Sequence, residues 1–214
     1  AEWKYQRYLQ DYMACVKSVD DSVGEIMEYL KASGLDKNTI IIYTTDQGFY
    51  LGEHGWFDKR FMYEESFGMP MVMKWHGHIK PGTQVKGLTQ NIDFAPTFLD
   101  FCGINIPEDM QGVSFRKLVE NGETPSNWRK SLYYHYYEYP GFHSVRAHYG
   151  IKTEQYKLLN FYKENKIELY DLKNDPEEMH NIYGLPGTEY ITKKLSKELQ
   201  KLQEEYEVPK KKKK

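Results

Sequence analysis

The sequence predicts an α/β fold: part of a sheet covered by helices, followed by a small α+β subdomain with an antiparallel sheet and a C-terminal helix. Three observations carry this. A long amphipathic segment, Trp3 to Ala32, precedes a β-branched run, Thr39 to Thr45. A second apolar run, Met69 to Trp75, follows a glycine-bearing loop. Near residue 125 the texture changes to short aromatic-rich runs and a final charged amphipathic segment.

Each element has a local reason. Tyr8, Leu9, Tyr12, Met13, Val16, Val19, Val23, Ile26, Met27 and Leu30 recur at helical spacing, and Gly34 is a suitable residue to end that helix. Ile40, Ile41, Ile42 and Tyr43 do not alternate with polar residues, which predicts a central parallel strand covered on both faces. Gly48 to Phe61 reads as a long functional loop. Pro70 stands at the start of the second strand, where a missing N–H is tolerated. Val85 to Gln90 reads as a short strand, Asp93 caps a helix through Phe101, and Ser114 to Val119 forms another helical turn. After the break come Ser131–Tyr137, Val145–Thr153, Tyr156–Phe161 and Glu168–Leu172, read as antiparallel strands, then a helix from Thr188 to Tyr206. The expected domains are therefore 1–125, 126–209 and a basic tail, 210–214.

Charge is balanced, with 29 basic and 31 acidic residues, so no nucleic-acid surface is expected. No apolar run reaches the roughly 18 residues of a membrane span. Cys15 and Cys102 lie among apolar residues and read as buried free thiols. The chain holds 19 tyrosines, a composition that suits either carbohydrate surfaces or a tyrosine-rich core; Tyr133, Tyr134, Tyr136, Tyr137 and Tyr139 are read mostly as core.

The chemistry gathers at the end of the Thr39–Thr45 strand. Asp46 and Gln47 supply a carboxylate and an amide oxygen, hard ligands suited to Ca²⁺ or Mg²⁺, and Gly48 permits a tight exit. Calcium takes roughly six to eight oxygens, so further ligands must come from elsewhere. The plainer reading of the same three residues is an Asx-type turn. Lys59, thirteen residues after Asp46, is an anion clamp if the loop folds back over the strand end, and a surface lysine otherwise.

The stretch YTTDQGFYLGEHGWFDKRFMYEES, from Tyr43 to Ser66, resembles the type I, formylglycine-dependent sulfatases of the alkaline phosphatase superfamily. Asp93-Phe94-Ala95-Pro96-Thr97 is similar to that family's D-x-x-P-T segment. Tyr149-Gly150-Ile151-Lys152-Thr153 with Tyr156-Lys157-Leu158 is similar to its C-terminal strand pair, and Glu168-Leu169-Tyr170-Asp171-Leu172 with Asp175-Pro176-Glu177-Glu178 to its closing signature. The resemblance covers the C-terminal half of the family and is strongest to bacterial N-acetylglucosamine-6-sulfatases and glycosaminoglycan sulfatases. It implies an alkaline-phosphatase-like sheet, Ca²⁺ held by Asp46 and Gln47, and a sulfate contact from Lys59. It also implies a formylglycine nucleophile made from Cys or Ser in C/S-x-P/A-x-R. Neither Cys15 nor Cys102 opens such a motif, and no serine does. The nucleophile and the remaining calcium ligands are thus expected in an N-terminal half absent from these residues, and the chain alone is expected to be inactive. Gly68 departs from the family, whose members often carry arginine there.

The resemblance implies a sulfated carbohydrate substrate, with 6-O-sulfated N-acetylglucosamine or related glycosaminoglycan and mucin sugars foremost, and a periplasmic or secreted location. Asp58 and Arg60 flank Lys59 and are expected to bind sugar hydroxyls, one accepting and one donating. His143, Arg146 and His148 are expected at the cleft edge, with His148 the favoured recognition residue. His54 reads as structural. Two alternatives stand beside this one. The first is a phosphodiesterase or phosphonate hydrolase of the same superfamily. The second is a glycan-binding pseudoenzyme that holds sugar without cleaving it.

Overall fold

The computed structural model describes residues 1–209; the predicted basic tail, 210–214, lies outside the described residues. In chain order the elements are α1 (Glu2–Ala32), β1 (Ile40–Thr44), β2 (Tyr50–Leu51), β3 (Phe57–Asp58), α2 (Glu64–Phe67), β4 (Met71–Trp75), α3 (Phe94–Phe101), α4 (Arg116–Asn121), β5 (Ser131–Tyr136), β6 (His148–Thr153), β7 (Tyr156–Phe161), β8 (Lys166–Asp171) and α5 (Glu189–Glu205). They fall into two compact units, residues 1–45 with 70–83, and residues 46–69 with 84 onward. Residue 125 lies inside the second unit.

In the first unit α1 ends at Ser33, and Gly34 takes the left-handed conformation that stops it. No residue of α1 is buried; along its apolar stripe Tyr8, Met13, Val16, Val19 and Ile26 are exposed and Leu9, Tyr12, Val23, Met27 and Leu30 are half-buried. The strand expected to be central and parallel pairs antiparallel with β4, from Ile40 opposite Trp75 to Thr44 opposite Met71. This corrects the sequence expectation. An uninterrupted β-branched run reports burial on two faces, whereas among the described residues β1 has one partner and is only half-buried to exposed. Cys15 and Cys102 are also corrected: both are free and exposed, Cys15 because α1 buries nothing, Cys102 because it caps the end of α3.

In the second unit β5, β6, β7 and β8 form an antiparallel meander in that order. Strand alternation splits its side chains cleanly. Ile151, Leu158 and Leu169 pack against Leu195, Leu199 and Leu202 of α5. Leu159, Phe161 and Tyr170 pack with Tyr50, Phe61, Met62 and Tyr63 from the loop layer. Burying each α5 leucine contributes about 1.5–3 kcal/mol, which is why this charged helix docks at all.

Val85 to Gln90 is not a strand. Trp128 Nε1 donates to Leu88 O at 2.9 Å, and a side chain at Gly87 would crowd Leu118 and Trp128, so this backbone is satisfied by packing rather than by a ladder. Asp93 is fully buried and anchors the same region. Its carboxylate accepts Gln90 N–H at 2.8 Å, Val113 N–H at 2.9 Å and a two-pronged pair from Arg129, with Nη2 at 2.7 Å. Thr97 Oγ1 donates to Asp93 O at 2.6 Å and accepts Phe115 N–H at 3.0 Å. The D-x-x-P-T segment is thus a structural clasp.

Candidate functional site

The exit from Asp46 is held by a close backbone crossing. Gly48 N–H donates to Ser66 O at 3.0 Å, and Phe49 N–H to Glu65 O at 2.7 Å. A Cβ at Gly48 would lie 2.0 Å from Glu65 O, so glycine is required by approach rather than by conformation. Gln47 Nε2 donates to Ser66 O and Ser66 Oγ, both at 2.8 Å. The nitrogen end of the amide is thus committed to Ser66. Asp46 is exposed.

The loop after Phe49 is a small hairpin. Tyr50 pairs with Asp58 and Leu51 with Phe57, so Asp46 and Lys59 both leave from its open end. Tyr50 Oη bolts the hairpin down: it donates to Phe61 O at 3.0 Å and accepts Tyr63 N–H at 3.3 Å, and burial raises its pKa. His54 stacks on Tyr63 with ring centroids 4.3 Å apart and lies 3.4 Å from Glu65, which agrees with a structural role. Lys59 is exposed.

Asp58 holds φ = 104°, a conformation that costs a non-glycine residue about 1–3 kcal/mol. Its carboxylate pairs with Arg60 Nη1 and lies 3.4 Å from His143 Nδ1. Tyr134 Oη, its pKa pushed up to about 12 by burial, donates to Arg60 O at 2.9 Å. Asp58, Arg60 and His143 therefore meet at one corner beside Lys59. Arg146 is exposed. His148 is fully buried instead of lining a surface. It stacks on Phe61 at 5.5 Å and Tyr136 at 5.7 Å, and its Nδ1–H donates to Arg146 O at 2.7 Å. Burial lowers its pKa, so the ring is neutral.

The residues that hold this corner in place were not singled out as site residues from sequence. Lys157 and Glu178 are buried and pair at 2.8 Å. Glu178 also accepts Glu64 N–H at 2.7 Å, and the Glu64 carboxylate takes Lys157 at 3.0 Å and Lys152 at 2.6 Å. Burial opposes ionisation of Glu64, but the Lys157 and Lys152 ammoniums outweigh it and hold the carboxyl below its usual range. For Glu178 burial outweighs Lys157 and raises the pKa. The signal was present: Lys157 sits at an inward position of an otherwise apolar strand, and Glu178 ends the Asp-Pro-Glu-Glu turn with φ = 53°.

As a metal site the donor set fits a hard cation and is incomplete. Asp46 and Gln47 offer oxygen ligands, but among the described residues no group of three His, Cys, Asp or Glu side chains converges. No helix among them is long and apolar enough to cross a membrane.

The family described as "N-sulphoglucosamine sulphohydrolase, C-terminal" matches residues 52–205. An N-acetylglucosamine-6-O-sulfatase of Bacteroides thetaiotaomicron is 53% identical over 95% of this chain and 36% of its own length. An arylsulfatase of Clostridium perfringens is 30% identical over 91% of the chain and 40% of its own length. A solved structure in complex with its substrate D-glucosamine-2-N,6-O-disulfate superposes with a TM-score of 0.95 and 49% identity, covering 99% of this chain and 44% of that one. The phosphonate monoester hydrolase of Agrobacterium radiobacter superposes with a TM-score of 0.75 and 26% identity, over 87% and 39% of the two chains. The chain spans 36% and 40% of the two curated relatives' lengths, and its fold is alkaline-phosphatase-like.

Proposed function

We propose that this chain, which belongs to the sulfatase family, forms the C-terminal portion of a sulfatase that hydrolyses sulfate esters of glycans, with 6-O-sulfated N-acetylglucosamine or a related glucosamine as substrate. The observation that carries the reading is the open end of the hairpin. Asp46 and Gln47 enter it beside the Gly48–Ser66 backbone crossing and Lys59 leaves it after Asp58, which supports reading the three as one site.

In this reading Asp46 and Gln47 would hold Ca²⁺ together with ligands outside these residues, and the ion would supply charge stabilisation to the sulfate oxygens. Lys59 places an ammonium on the same sulfate, where it offsets negative charge developing on the ester oxygens. Asp58 accepts from, and Arg60 donates to, sugar hydroxyls at the adjoining corner, with His143 and Arg146 at its edge. His148 acts from below, fixing the Arg146 backbone and the rings under the corner. The nucleophile, formylglycine, belongs to a segment outside the chain. Residues 1–125 serve the catalytic domain and 126–209 its subdomain, in a periplasmic or secreted protein.

The resemblance to a phosphonate monoester hydrolase supports a second reading in which the same half-site faces a phosphorus ester. The test is the complete protein, matured by a formylglycine-generating enzyme and assayed on N-acetylglucosamine 6-O-sulfate beside a phosphonate monoester. Sulfate release that requires calcium is the expected result. Turnover of the phosphonate alone would favour the second reading, and turnover of neither would remove both.

A further inference from the structure

The face of the β5–β8 sheet that carries α5 has a feature the sulfate site does not use, a cleft of about 750 Å³. Four rings line it. His135 and Tyr137 stack with centroids 3.7 Å apart, Tyr149 and Tyr162 stack at 5.5 Å, and His135 meets both Tyr149 and Tyr162 edge-on, at 5.5 and 5.8 Å. Strand alternation brings them together: residues 135 and 137 share the parity of Tyr133 on β5, and Tyr149 opens the inward series of β6 that continues with Ile151.

The rings are braced. Tyr133 Oη and His135 Nδ1 are 2.9 Å apart, and Asn160 Nδ2 donates to Tyr149 Oη at 2.9 Å. Preorganised rings bind without an ordering cost. The buried part of the α5 contact is made by Leu195, Leu199 and Leu202, none of which lines the cleft. Tyr137 keeps 64% of its surface exposed. Around the rings stand Lys163, Gln203 and Glu204, so charge is balanced and the polar groups include both donors and acceptors. The volume lies within the range of small-molecule sites, about 300–1,000 Å³.

A pyranose ring has a C–H face and a rim of hydroxyls. Flat rings with phenolic tips, an amide, an ammonium and a carboxylate complement it. The balanced charge disfavours a sulfate group, in contrast to the cationic pair Lys59 and Arg60. We propose that this cleft binds a neutral pyranose residue of a glycan, as a second carbohydrate site on the sheet face opposite His148. The proposal takes from the proposed function only that the protein works on glycans, and its test involves no hydrolysis.

The experiment titrates the full chain with the neutral disaccharide N,N′-diacetylchitobiose, by calorimetry and by saturation-transfer NMR. Saturable binding is expected, weakened about tenfold or more by Tyr137→Ala and by Tyr162→Ala. Tyr137→Phe, which keeps the ring, should bind as the unsubstituted protein does. Tyr137 is exposed enough that its replacement leaves the fold intact, which circular dichroism verifies. No saturable binding would overturn the proposal. So would binding that survives both tyrosine-to-alanine substitutions, since the sugar would then sit elsewhere. Sulfate-ester turnover without chitobiose binding would remove this site alone, and binding without turnover would remove the proposed function alone.

Discussion

The two faces of the β5–β8 sheet obey one alternation and reach opposite solutions. Toward α5 the sheet presents Ile151, Leu158 and Leu169, and the contact is non-directional apolar burial. Toward the loop layer it presents Leu159, Phe161 and Tyr170, but Lys152 and Lys157 stand on the same face and meet the carboxylates of Glu64 and Glu178. Apolar packing holds a helix but tolerates small shifts. The Lys157–Glu178–Glu64 chain fixes a backbone N–H as well as a carboxylate, so it sets where the segment after Lys59 lies. The face toward α5 thus supplies apolar stability, and the other face adds charge pairs that fix position to an apolar cluster of its own.

Breaking the charged face should have the larger effect. Lys157→Met leaves Glu178 buried without its cation, and a loss of about 3–5 kcal/mol is expected by denaturant unfolding. Adding Glu178→Gln should return much of it, because an amide still accepts Glu64 N–H and carries no charge. A double variant as weak as the single one would mean that packing, not pairing, is what Lys157 provides. On the apolar face Ile151→Val should cost only about 0.5–1.5 kcal/mol, and activity of the complete protein should hardly change. A loss of turnover there without loss of stability would erase the division between the faces.

The smallest effect is one of pH. The folded protein keeps His148 neutral, with a pKa below the ordinary value of about 6.5. The unfolded chain therefore binds more protons just below that value, so this contribution to stability is present above about pH 6.5 and is lost as the pH falls from there toward the folded pKa. Tyr134, Tyr136, Phe61 and Phe161 surround the ring, and Glu164 is the charge that acts on it. His148→Phe should flatten the melting temperature across that window. An unchanged pH slope would show that other groups set it.

Much of this was legible in the sequence because it rests on local pattern. The four subdomain strands, the last helix and the long loop follow from alternation, helical spacing and glycine. The sense of β1 was not legible, since an apolar run reports burial and says nothing of its partner's direction. Val85–Gln90 misled because its bonds go to side chains, Leu88 O accepting from Trp128 forty residues on and Gln90 N–H donating to Asp93. In the site, Asp58 and Arg60 pair as near neighbours in sequence, but the approach of His143 to Asp58 was hidden, because only the fold joins positions so far apart. The burial of His148 was hidden, because a histidine beside a signature looks alike whether it faces solvent or four aromatic rings. The Lys157–Glu178 bond was hidden too, because only the fold brings a strand and a distant turn together.

The central claim is that Lys59 and the Asp46–Gln47 turn form one half of a sulfate site. It is tested most directly by sulfate release from N-acetylglucosamine 6-O-sulfate by the complete, matured protein and its Lys59→Ala variant, with melting temperature measured alongside. The account predicts a fall in turnover of about a hundredfold or more, the order seen when one preorganised charge-stabilising group is removed, at an unchanged melting temperature. Undiminished turnover, or a loss that follows the melting temperature down, would contradict it.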